Sequence, residues 1–225
     1  MAQNIARDSA EDEAGQRAAY WLFAVVRAVP LAALAIVIAF TSNHAPSFGL
    51  LAFGVFGIVA GLALAALTWF RLGSSGVRPF FIAQAAVTLA FGVLALVFRS
   101  GGVAYVFVLF TAFAIITGFL ELASGIRARG RFVASRDWMT IGGLTVIVAI
   151  AFLLVPPGFS QSFKDPDGVT RVLDSSVIVV GILGLYAGIA AVFLVIAGLS
   201  AKWGTQVRAA TTALGTVDTN REHAA

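Results

Sequence analysis

The chain has 225 residues, 60% of them hydrophobic and only 12% charged, with a formal net charge of +4 and a pI near 10.1. A water-soluble domain averages about 45–50% apolar and about 25% charged residues, and a chain this short has too little interior to hide so much apolar surface. Lipid is therefore the expected solvent, and the absence of cysteine excludes disulfides, thiolate metal sites and a cysteine nucleophile.

The basic balance does not point to nucleic acid. The charges fall between apolar runs and form no single patch or helix face.

Residues 1–19 form a polar tail of mixed charge, expected in the cytoplasm. Ser9 with Asp12 reads as a helix N-cap signal before the first span. The acidic centre of the tail and the length of the apolar run behind it do not suit a cleaved signal peptide. A helix needs about 20 apolar residues to cross the hydrocarbon core. Six stretches qualify, over about 20–41, 48–70, 78–98, 103–126, 138–157 and 175–199, and a polar cytoplasmic tail follows at 204–225. The membrane domain is 20–203. The runs lack the alternation of a transmembrane β-barrel, so the fold class is an all-α membrane protein. Most connections are short. The fifth is long, and its Asp165-Pro166-Asp167-Gly168 reads as a turn, because the other ligands of a calcium loop are missing.

Lys and Arg in the loops orient such a chain. One side carries Arg7, Arg17, Arg71, Arg78, Arg127, Arg129, Arg131, Arg136, Lys202, Arg208 and Arg221; the other carries Arg99, Lys164 and Arg171. Both termini are therefore expected in the cytoplasm, with the chain integral to the plasma (inner) membrane. Trp21, Trp69, Trp138 and Trp203 fall at the expected cytoplasmic ends, where indoles favour the interface. Arg127, Arg129, Arg131 and Arg136 form the densest basic segment, joining the fourth and fifth spans. It is expected to fix topology and to meet anionic lipid headgroups.

The spans read as three hairpin repeats. Gly54, Gly57 and Gly61 in the second span align without a gap with Gly181, Gly184 and Gly188 in the sixth. In the fourth, Thr111, Ala114 and Gly118 take the same places. Small residues three and four apart share a helix face and let another backbone approach, so these glycines are expected to serve helix packing.

Two ionisable groups interrupt the apolar runs, Arg27 in the first and Glu121 in the fourth. An isolated charge at mid-helix costs about 2.5–3.5 kcal/mol on insertion scales. Similar depth and opposite sign suit an Arg27–Glu121 ion pair. Two other readings stay open: Arg27 snorkels to lipid phosphates while Glu121 bonds local groups, or Glu121 couples protons or ions. His44 and His223 are too far apart in sequence for a His-based metal site. Ser160, Ser162 and Ser175 have no His or Lys at a spacing that would activate them. Neither catalytic residues, a metal nor a cofactor is expected.

The basic loop leading into Arg136-Asp137-Trp138, the Gly142-Gly143 pair, Pro156 at a helix end and the exit Leu122-Ala-Ser-Gly-Ile-Arg127 together resemble the HdeD acid-resistance family of short-repeat membrane proteins. The resemblance covers roughly residues 20–203. The first hairpin departs from it, with Pro30 inside the span. The resemblance implies an inner-membrane protein linked with acid stress. The reading that follows is a non-enzymatic membrane protein of that type, with a role in acid or envelope stress tolerance, packing its helices with itself as a homo-oligomer or with a membrane-protein partner. The alternative is a small transporter or proton channel with Glu121 as its intramembrane acid.

Overall fold

In the computed structural model, residues 2–222 are described without 73, 74, 165, 167 and 169; side chains are described over 15–204, without those positions and 171. His223 and the side chains of Ser9, Asp12, Arg7, Arg208 and Arg221 lie outside the described set, as do Asp165 and Asp167 of the expected turn.

Six long helices make up the fold: α1 (Ala2–Phe40), α2 (Pro46–Arg71), α3 (Arg78–Val97), α4 (Gly102–Arg127), α5 (Ser135–Leu154) and α6 (Ser175–Glu222). Each contains a segment long and apolar enough to cross a membrane. Proline opens α2 and α3, where a missing N–H costs nothing. It also ends α5. Val155 precedes Pro156 and takes an extended backbone with φ −79° and ψ 120°, as the crowding of a following proline ring demands. Helix α5 thus runs about three residues earlier than expected at both ends. Helix α1 starts at Ala2 and α6 continues to Glu222, so both polar tails begin as extensions of the outer helices. Ser9 stands inside α1 and is not its cap.

The long fifth connection holds a feature that sequence alone reads as a loop. Strands β1 (Ser160–Lys164) and β2 (Thr170–Asp174) form an antiparallel hairpin, with Ser160 opposite Asp174 and Phe163 opposite Arg171. Gly168 in its tip has φ +79°, a conformation glycine adopts without strain. The hairpin ends in a helix cap. Asp174 Oδ1 accepts from Ser176 Oγ at 2.6 Å and from the Val177 N–H at 3.0 Å. These bonds hold the Asp174 carboxyl below its ordinary range. A depressed carboxyl gives stability that is present above its unfolded pKa and is lost as pH falls through the folded one. Asp174→Ala should therefore cost about 1 kcal/mol at neutral pH, and the difference from the parent should vanish in strong acid. Unfolding of both proteins across pH checks this.

The helices follow one another around a closed ring, and the packing alternates. The most extensive contacts join α2 to α3, α4 to α5, and α6 back to α1. Glycines explain this alternation. A Cβ at Gly57 would lie 2.7 Å from the Gly92 Cα, and one at Gly61 would lie 2.9 Å from the Leu89 N. A Cβ at Gly54 would meet Leu96 at 2.5 Å. Gly118 faces Val146 at 3.1 Å, Gly125 faces the Met139 N at 2.8 Å, and Gly142 faces the Leu122 N at 2.5 Å. On α6, Gly184 meets Ile38 at 2.7 Å and Gly188 meets Ala35 at 3.6 Å. Gly181 is the exception: nothing lies within 4 Å of a Cβ there. Its expected packing role is corrected. Close approach of α6 to α1 continues toward their other ends, where a Cβ at Gly198 would be 2.9 Å from the Trp21 carbonyl. Each tight pair therefore joins an even helix to the next odd one, where the hairpin reading joins each odd helix to the even one after it.

Two apolar layers fill the ring. One holds Phe53, Phe56, Phe110, Phe113 and Phe152; the other holds Tyr20, Phe23, Phe81 and Trp138. The outer faces carry apolar side chains such as Ile36, Val55, Val108, Phe119, Ile147 and Val192, all strongly exposed. An apolar exterior around a core of this kind suits lipid and not water. The second layer also corrects an expectation. Trp138 is 3% exposed and stacks edge-on against Phe81, with ring centroids 4.9 Å apart. It is a core residue, whereas Trp69 and Trp203 remain exposed. In single-tryptophan variants, brominated lipid should quench Trp69 and Trp203 strongly and Trp138 weakly. Equal quenching of all three would contradict the packing.

Candidate functional site

Between the two layers lies a polar centre at membrane depth. Arg27 enters from α1, Gln84 and Thr88 from α3, Thr117 and Glu121 from α4, Thr145 from α5 and Tyr186 from α6. Alanines 60 and 63 of α2 complete the wall, so all six helices border a cavity of about 60 Å³.

Arg27 Nη2 donates to Glu121 Oε1 at 2.6 Å, and Gln84 Nε2 donates to Glu121 Oε2 at 2.8 Å. Both carboxylate oxygens of this α4 residue are thereby engaged, one from α1 and one from α3. The pair is buried, with side-chain exposures of 11% for Arg27 and 3% for Glu121. The guanidinium also faces the rings of Phe23 and Phe81, at 5.5 and 5.8 Å from their centroids, a favourable contact for a desolvated cation. Arg27 therefore points inward, and the snorkelling arrangement is not the one the fold adopts. The reason is geometric. A long side chain snorkels when its helix face meets lipid, and this face of α1 meets α3 and α4.

A second polar pair stands beside the first. Thr145 Oγ1 and Tyr186 Oη are 2.7 Å apart. The Thr145 hydroxyl donates to the Ile141 carbonyl at 2.8 Å, so its single proton is used and Tyr186 is the donor between them. Thr88 and Thr117 likewise donate to the Gln84 and Phe113 carbonyls of their own helices. Pro30 also borders the cavity, and its ring nitrogen cannot bond the Val26 carbonyl one turn back.

The sequence reading singled out Arg27 and Glu121, and the fold brings them together from 94 residues apart. It overlooked Gln84, Thr145 and Tyr186. Gln84 carried a signal, since it is an amide inside the apolar run Phe80-Phe-Ile-Ala-Gln-Ala-Ala. Tyr186 was masked by the glycine pattern that surrounds it. The other candidates lie elsewhere. His44 sits in the α1–α2 connection, with its carbonyl 3.2 Å from Ser176 Oγ, whose proton goes to Asp174. Ser175 Oγ donates to the Pro157 carbonyl at 2.8 Å, and Ser160 and Ser162 lie in the exposed strand β1. Among the described residues, no group of three His, Asp or Glu side chains could hold a metal ion.

Chemically, the centre is a neutralised salt bridge with a neutral amide as third member. A carboxylate whose two oxygens both hold donors is well placed to fasten three helices. It is poorly placed to exchange protons without first losing a partner. Compared with known proteins, the chain matches no family model, no curated protein and no solved structure.

Proposed function

We propose that this chain is a non-enzymatic, multi-pass protein of the plasma (inner) membrane, similar to the HdeD type, and that it serves tolerance of acid or envelope stress. Both termini lie in the cytoplasm, on the side of the arginine-rich loops, where the positive residues meet anionic headgroups. The recurring glycine-seamed pair of an even and an odd helix supports descent from a threefold internal repeat. The apolar exterior meets lipid, and a second copy or another membrane protein can pack against part of it.

One observation carries the reading: Glu121 is held at both oxygens, by Arg27 and Gln84, between two aromatic layers. That arrangement supports a structural centre in a tight barrier. The rival reading, a proton or ion carrier using Glu121, draws support from the cavity beside the carboxylate. Reconstituted liposomes separate the two. The proposal predicts that an imposed pH gradient decays no faster than in empty vesicles, and that deleting the gene lowers survival after acid challenge. Proton flux that disappears in Glu121→Gln would establish the carrier instead.

A further inference from the structure

The polar centre leaves two buried groups without a protein partner. Arg27 Nη1 and Gln84 Oε1 find no hydrogen bond among the described residues, although both are buried. Gln84 is only 6% exposed. Its orientation is fixed, because the opposite amide rotamer would set its oxygen against the Glu121 carboxylate. One orphan is a donor and the other an acceptor, and both residues border the same cavity. An unmet buried polar group is costly, and in folded proteins such groups are commonly met by water. The cavity offers about 60 Å³, where roughly 10–15 Å³ suffices for one water. The hydroxyls of Thr88, Thr117 and Thr145 add acceptors at its wall, since each spends its proton on its own helix.

We propose that this cavity is a water-binding site in the middle of the membrane domain. A bound water accepts from Arg27 Nη1 and donates to Gln84 Oε1, and neighbouring waters reach the threonine hydroxyls. The ligand is water and not an anion, because Glu121 already neutralises Arg27. It is not an apolar molecule, because that would leave both orphans unmet. The site hydrates the ion pair from within and completes the hydrogen bonding that the six helices leave open. The inference rests on the geometry of the centre and not on the stress-tolerance reading, so either can fail without the other.

Water-edited solid-state NMR of the arginine-labelled protein in lipid bilayers tests it. The Arg27 guanidinium is assigned through its coupling to the Glu121 carboxyl carbon. Polarisation should pass from water to the Arg27 nitrogens in the parent protein. It should fall severalfold in Ala60→Leu, which fills the cavity from α2 while leaving the pair's coupling intact. Absence of transfer in the parent would overturn the proposal, and so would transfer that persists undiminished in Ala60→Leu. If Ala60→Leu fails to fold, Ala63→Val fills the same wall more gently and is read in the same way.

Discussion

Arg27→Ala and Glu121→Ala should each lower the free energy of unfolding in detergent or lipid by about 3–5 kcal/mol, the usual cost of stranding one charge of a buried pair. The size of the effect distinguishes causes. An ordinary hydrogen bond between membrane helices is worth about 0.6 kcal/mol on average, so a loss of several kcal/mol reports an uncompensated charge. The double variant Arg27→Ala/Glu121→Ala should cost less than the sum of the two singles, because removing both charges removes the penalty of a stranded charge. Contacting residues show coupling of about 0.5–3 kcal/mol. Additive losses would mean that the two side chains stabilise the fold separately.

Gly57→Ala and Gly181→Ala should act in opposite directions. These two positions look alike in the sequence, because each belongs to a three-glycine register on an even helix. A methyl group at Gly57 would lie 2.7 Å from the Gly92 Cα, and the atoms opposite are backbone that cannot step aside. Overpacking of this kind costs about 1–3 kcal/mol, sometimes more. Gly181 has nothing within 4 Å. Alanine there gains about 0.8–1.0 kcal/mol of helix propensity and loses no contact. Unfolding of the two single variants checks both signs in one experiment.

The contrast shows what the sequence could and could not carry. Hydrophobic length reads directly as six helices, since lipid imposes one requirement on every span. The basic loop between α4 and α5 reads equally well, and it joins one of the tight helix pairs. Which helices pair closely is less legible. Chain order suggests hairpins, but small residues decide the approach, and Gly92, Gly125 and Gly198 stand outside the repeated pattern. Arg27 and Glu121 were conspicuous because charge in an apolar run has few explanations. Gln84 was not, because one neutral amide changes hydropathy little. Trp138 was misplaced for a related reason. Its position near a helix end fits an interface belt, and only the packing of Phe23, Phe81 and Phe132 around it makes it core.

Pro30 extends the argument from packing to chemistry. It stands one turn beyond Arg27 in α1 and borders the same cavity. Its missing N–H removes one bond from the helix ladder at the depth where the charges meet. The proline inside the first span thus coincides with the polar centre.

The central claim is that Arg27 is held by Glu121 inside the ring and does not reach out to lipid. Nitrogen-to-carbon and nitrogen-to-phosphorus dipolar couplings from the labelled Arg27 guanidinium, measured in phospholipid bilayers, test it most directly. The account predicts a strong coupling to the Glu121 carboxyl carbon, consistent with the 2.6 Å contact, and no coupling to phosphorus. Coupling to lipid phosphorus without coupling to Glu121 would contradict it.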